Sequence, residues 1–263
     1  MNRSSTAVPA APEETARPAL DGIPGQRGPG PAASGRRASE PDGLGTAREA
    51  PTHPASSWRR LRPWRLLPTP TGTPFTFGYA VVLTLTSLLA QYADPGLVSS
   101  LHQGSSTDVA HLTQTPLLVL LASALWIAGG IASPYAIGFL LVLTGLERRV
   151  GALRTAGVFL LGHVVATLAT EVPVGFSVLV GHLPESSLHR LDYGISFGVA
   201  ASIGALAGLF RPWLRWLVLV AFGGMLVDDL VAFTDPLTNW GHLMALLIGV
   251  ATWPMVRRWR HRV

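Results

Sequence analysis

Six apolar segments punctuate the C-terminal two-thirds of the chain, most of them long enough to be membrane helices. The first runs from Phe75 to Ala93, and a long second stretch reaches from about Pro116 to Leu146. A third starts near Thr155, the fourth is Gly194 to Phe210, the fifth Trp213 to Phe233, and the sixth Trp240 to Met255. A spanning helix needs about 20 mostly apolar residues, so the fourth and sixth are short for that task. The second is broken by Gly129-Gly130 and by Ser133-Pro134. Ser-Pro has the form of a helix start, with serine as N-cap and proline at the first helical position. Either Leu117 to Trp126 is partly embedded and the second span begins near Pro134, or one kinked helix runs through.

Residues 1–57 have no periodic apolar face and are rich in Pro, Ala, Gly, Ser and Arg. Such a segment buries too little surface to offset its ordering entropy, which predicts a disordered tail without the apolar stretch of a signal peptide. Trp58 to Arg65 mixes arginines with tryptophans, a pattern suited to the headgroup level of a bilayer. Residues 58–263 then form one six-helix membrane domain, all-α in class.

Composition supports that division, with 48% hydrophobic and 13% charged residues over 263 positions. There is no cysteine, which removes disulfides and thiolate metal sites. No lysine occurs either, so the 20 basic residues are all arginines and a phosphate-cradling loop with its lysine is absent. A basic chain suggests nucleic acid, but these arginines flank apolar segments instead of forming one basic face. Arg59, Arg60, Arg62 and Arg65 precede the first segment, and Arg148, Arg149 and Arg154 follow the second. Arg211 and Arg215 separate the fourth and fifth, and Arg257, Arg258, Arg260 and Arg262 follow the sixth. The other connections hold only Arg190. The positive-inside rule then gives an even number of spans, with both termini cytoplasmic in a multi-pass cell-membrane protein.

On that topology the fourth and sixth segments both enter from the outer side, so Ser196 and His242 share a depth. A serine and a histidine that meet can activate a hydroxyl for attack on a peptide bond. Helix faces of small residues allow backbones to approach closely in lipid, and both segments carry them: Gly194, Gly198, Ala201, Ala205 and Gly208 on one, Ala245 and Gly249 on the other.

Four features together resemble the rhomboids, six-span intramembrane serine proteases. Glu147-Arg-Arg-Val-Gly151 is similar to the family's Glu-x-x-x-Gly, and Gly194-Ile-Ser196 to the start of Gly-x-Ser-Gly. His242 is followed by Ala245 and Gly249, small residues at the third and seventh positions. The order, serine on the fourth segment and histidine on the sixth, is the last feature. The resemblance covers roughly residues 75–258. It implies a rhomboid-like fold without cofactor, hydrolysis within client transmembrane helices, Ser196 as nucleophile, and His242 as general base and then acid. The backbone amide of Ser196 would contribute to the oxyanion site.

The sequence also departs from the family pattern. Phe197 stands where the motif has glycine. The second-segment positions associated with the oxyanion site hold Ile131, which has no donor, and Tyr135, which has one. Losing such a donor costs about a hundred- to a thousandfold in rate. The second reading is therefore a noncatalytic rhomboid-like protein that binds client helices through small-residue faces. Expected partners are client helices and the bilayer, with no nucleic acid. Asp192 is a candidate to orient His242 or to cap the fourth helix, and Ser196 has the alternative role of a helix cap. His163 reads as a buried packing histidine, and Asp228 and Asp229 as solvated or as membrane-buried functional carboxylates. A transporter using these aspartates lacks inverted repeats or an obvious polar pathway. No pair of histidines has metal-ligand spacing on a helix, so no metal site is expected.

Overall fold

The computed structural model describes residues 66–233 and 235–260, within which every regular element is helical. The expected disordered tail and the Trp58–Arg65 anchor lie outside the described residues. Ten α-helices follow in order: α1 Pro74–Tyr92, α2 Pro95–Gly104, α3 Val109–Gln114, α4 Pro116–Ser123, α5 Pro134–Val150, α6 Ala152–Leu179, α7 Ser196–Ala207, α8 Pro212–Val231, α9 Pro236–Ala251 and α10 Trp253–Arg260. Among the described residues, α1 and α6 are long and apolar enough to cross a membrane by length and composition alone. At about 1.5 Å per residue, the twelve residues of α7 extend only about 18 Å.

The long second apolar stretch is two helices, not one kinked helix. Ser133 accepts the Ala136 amide at 3.2 Å and Pro134 opens α5. Gly129 and Gly130 turn the preceding chain at φ 79° and 75°, where residues with a Cβ are strained. At the far end of α5, Gly151 (φ 89°) lets α6 follow directly. Glu147, four residues earlier, reaches across to the start of α1. It accepts the Phe75 amide at 2.9 Å, the Thr76 amide at 2.8 Å and the Thr76 hydroxyl at 2.6 Å. The Glu-x-x-x-Gly spacing thus has two local causes: an anion at the unsatisfied amides of α1, and a glycine that breaks the chain between two helices.

α7 is the buried centre, where every residue except Ser196 and Ile203 is buried. A helix apolar all round belongs inside a bundle, and α5, α6 and α9 surround it, with α8 at the rim. Its closest neighbour is α9. A Cβ on Gly204 would strike the Leu246 carbonyl, and one on Gly249 would strike the Ala201 carbonyl. Gly198, expected to face α9, instead receives the Phe159 ring of α6. α8 fully buries only Leu226, packs mainly on α9, and leaves Trp213, Trp216, Val220, Met225 and Val231 exposed.

The sixth apolar segment differs from expectation at both ends. α9 begins at Pro236, with Asp235 accepting the Thr238 amide at 3.2 Å, and stops at Thr252 before α10. His242 therefore sits in the second turn of α9, where it is buried.

Gly249→Val should abolish a monodisperse, thermally cooperative protein in detergent, because the clash is with backbone that cannot move aside. Gly224→Ala, whose Cβ meets nothing within 4 Å, should leave the unfolding temperature unchanged. Equal behaviour of the two variants would refute backbone-close packing of α7 on α9.

Candidate functional site

Helical periodicity decides what α7 presents to α9. Ala201, Gly204, Ala205 and Gly208 form one stripe, and counting back four residues from Ala201 leads to Phe197. Ser196 lies about 100° further round the helix. The structure follows that count. The Phe197 ring meets the imidazole of His242 edge-on, with centroids 5.2 Å apart and planes at 77°. It occupies the notch left by Gly241, where an added Cβ would strike Phe197 and Thr170.

On its other side His242 is stacked on Tyr135, centroids 5.1 Å apart at 19°, with the phenol oxygen 3.4 Å from Nδ1. Nε2 is buried without a hydrogen-bond partner among the described residues. The structure thus brings Tyr135 and His242 together. No hydrogen bond joins Ser196 to His242 among the described residues.

Ser196 opens α7 and is half-buried. It lines a small cavity of about 10 Å³ with Thr107, His163, Thr167, Asp192 and Tyr193. The side chain of Ser196 caps nothing, and α7 has no side-chain cap. The backbone before it is anchored instead: the Gly194 amide donates to the Ser123 carbonyl (3.0 Å) and the Ile195 amide to the Trp126 carbonyl (3.2 Å).

His163 has the partner that its sequence context did not reveal. Its Nε2 lies 3.0 Å from the Ser123 hydroxyl and 3.1 Å from the Leu120 carbonyl, both on α4. A carbonyl only accepts, so Nε2 carries the proton and Nδ1 is a bare, buried acceptor. Ser123 is fully buried, so this pair fastens α4 to α6 and is closed to a substrate.

Asp192 neither caps α7 nor touches His242. It accepts the Thr107 hydroxyl at 3.3 Å and pairs with Arg190 at 3.5 Å. Burial raises its pKa above the ordinary aspartate value, against the opposing pull of Arg190 and the Thr107 hydrogen bond. Arg190, in the sequence only the lone arginine of the remaining connections, is the centre of this cluster. It donates to Glu171 of α6 at 2.6 Å and to the Thr238 hydroxyl of α9 at 3.1 Å, with Asp235 at 3.9 Å. Ser106 accepts the Asp192 amide at 3.0 Å, while the Thr107 amide reaches the Asp192 carbonyl at 2.7 Å. One guanidinium therefore ties α6, the segment before α7, and the start of α9. Its isolation was the available signal: a lone arginine between apolar segments needs a carboxylate, and Glu171 stands inside α6.

Asp228 and Asp229 are both exposed. Among the described residues, no cluster of His, Asp or Glu is arranged to hold a metal ion.

A family model for rhomboid-like proteins matches residues 71–262, nearly all of the helical body just described. The chain belongs to the rhomboid-like family. No curated protein and no solved structure matches it. Rhomboid-like proteins are membrane-embedded, which accounts for the apolar residues exposed along α1, α6 and α8.

Arg190→Ala should destabilise the rhomboid-like body by about 3–5 kcal/mol, because it leaves the Glu171 carboxylate buried and unpaired. Replacing Arg190 and Glu171 together by methionine should cost much less. Thermal unfolding in detergent checks this, and an unchanged midpoint for Arg190→Ala would contradict the tie.

Proposed function

We propose that this rhomboid-like chain is a noncatalytic, six-span protein of the cell membrane that binds the transmembrane helices of client proteins. The observation that carries it is the Phe197 ring resting edge-on against His242, while no hydrogen bond joins Ser196 to that imidazole among the described residues. Two features support it. Tyr135, the remaining candidate oxyanion donor, is engaged with His242, and Ile131 offers no donor. The six spans on this reading are α1, α5, α6, α7, α8 and α9. Both termini are cytoplasmic because Arg148, Arg149, Arg154, Arg211, Arg215 and the arginines of α10 flank the same ends of these helices.

The client does not use the small-residue faces, since Ala201, Gly204, Ala245 and Gly249 are consumed by the α7–α9 contact. It uses the groove between α5 and α8, which scarcely meet. That groove has a volume of about 570 Å³ and an apolar lining that includes Leu141, Ile203, Val218, Phe222 and Met225. Its walls are the apolar side chains of α5 and α8 and its floor is α7, so a single apolar helix fits it better than a polar ligand.

One observation favours the second reading, an intramembrane serine endopeptidase: His242 keeps a buried Nε2 without a partner. On that reading, cleavage of a client helix is lost in both Ser196→Ala and His242→Ala.

The test is cross-linking in nanodiscs between a benzophenone placed at Met225 and a reconstituted single-span Ala/Leu helix. Yield should exceed that from a benzophenone at Leu85, on the outside of α1, by about tenfold, survive Ser196→Ala, and fall when Ala221→Trp fills the groove. Equal yields at the two positions, or cleavage of the helix that depends on Ser196, would overturn the proposal.

A further inference from the structure

The end of α7 remote from Ser196 is wrapped in arginines. Arg215 donates to the carbonyls of Ala207 (3.3 Å), Gly208 (3.4 Å) and Phe210 (3.2 Å). Arg257 donates to Gly208 at 3.1 Å and Arg260 to Leu209 at 3.4 Å. Carbonyls at a helix C-terminus carry about half a negative charge, too little to balance three guanidiniums.

Further cations stand beside them. The Arg149 guanidinium lies 5.6 Å over the Phe210 ring, and Arg154 lies 5.6 Å over Trp259. Arg149 also donates to the Gly145 carbonyl at 2.6 Å, and Arg149 and Arg260 converge on the adjacent residues Phe210 and Leu209. The nearest carboxylate in sequence, Glu147, is turned away to the amides of α1. Among the described residues no carboxylate pairs with any arginine at this end; the only arginine ion pairs are those of Arg190. Among the described residues these like charges are held together without a counter-ion, a costly arrangement that favours an anion beside them.

We propose that Arg149 and Arg260 form a binding site for the phosphate of an anionic phospholipid. A lipid is favoured over a free anion by what surrounds the pair. α10 buries Val256, half-buries Trp253 and Trp259, and exposes Arg257, Arg258 and Arg260, the arrangement of a helix lying at headgroup level. Phe210, beneath Arg149, is also a lining residue of the apolar groove, so a surface suited to an acyl chain adjoins the cations. Juxtamembrane arginines attract anionic headgroups in this way, and guanidinium forks match phosphate oxygens. The site does not depend on whether the groove holds a client.

The experiment titrates the full chain in detergent micelles with pyrene-labelled phosphatidylglycerol and reads quenching of tryptophan fluorescence, Trp253 and Trp259 lying beside the site. Binding should weaken about tenfold or more in Arg149→Gln/Arg260→Gln and change less than twofold in Arg258→Gln, an exposed neighbour with no contact in the site. Pyrene-labelled phosphatidylcholine should not bind, and inorganic phosphate should not displace the bound lipid. Should the double variant fail to fold, Arg260→Gln alone, exposed and holding one long hydrogen bond, is expected to weaken binding about fivefold. Undiminished binding by the variants, equal binding of phosphatidylcholine, or displacement by inorganic phosphate would each overturn the assignment.

Discussion

Backbone contact between α7 and α9 sets the rest of this molecule. In lipid there is little gain from expelling water between helices, so association depends on packing, and glycine lets it become close. Gly204 and Gly249 each face a carbonyl of the opposite helix, which leaves neither helix free to rotate. Once Ala201, Gly204 and Ala205 are committed to α9, the position one turn earlier on that stripe is Phe197. A residue one place along is turned by about 100°, and Ser196 is that residue. Helix rotation thus directs a ring at His242 and a hydroxyl into a small polar cavity shared with His163 and Thr167.

The two ends of α7 solve opposite electrostatic problems. Near Ser196 the chain gathers Glu171, Asp192 and Asp235 around the single guanidinium of Arg190. At the other end arginines outnumber carboxylates, and they spend their donors on carbonyls and their faces on Phe210, Trp253 and Trp259. A short helix whose C-terminal carbonyls take charge-assisted hydrogen bonds, and whose preceding segment is anchored by backbone bonds and by Arg190, can stay in place despite being only twelve residues long. That asymmetry underlies both the proposed topology and the proposed lipid site.

Much of the architecture was legible in the sequence. Ser133-Pro134 marked the true start of α5, because caps act locally, while Glu147 and Gly151 stood out only as a family motif and the structure adds that they form a helix junction. The apolar segments located α1, α7 and α8, and the start of α6, to within a few residues. Short helices α2 and α3 were not anticipated, since each depends on an aspartate cap (Asp94, Asp108) within a polar stretch that has no periodic face. The partners of His163 and Arg190 were hidden for another reason. Ser123 is 40 positions from His163, and Glu171 is 19 from Arg190, separations at which no sequence period operates. The relation of Ser196 to His242 lay between these cases. The arginine topology gave both residues one expected depth, whereas the small-residue stripe, extended one turn, leads to Phe197.

On the proposed noncatalytic function, Ser196 is not activated by His242. A fluorophosphonate reacts with a serine whose hydroxyl is engaged by a general base, and intact-mass and peptide analysis locate the adduct. Incubating the full chain in lipid nanodiscs with such a probe should leave Ser196 unmodified, at the level of Ser196→Ala. Stoichiometric labelling of Ser196 that disappears in His242→Ala would contradict the account and establish a working serine–histidine pair.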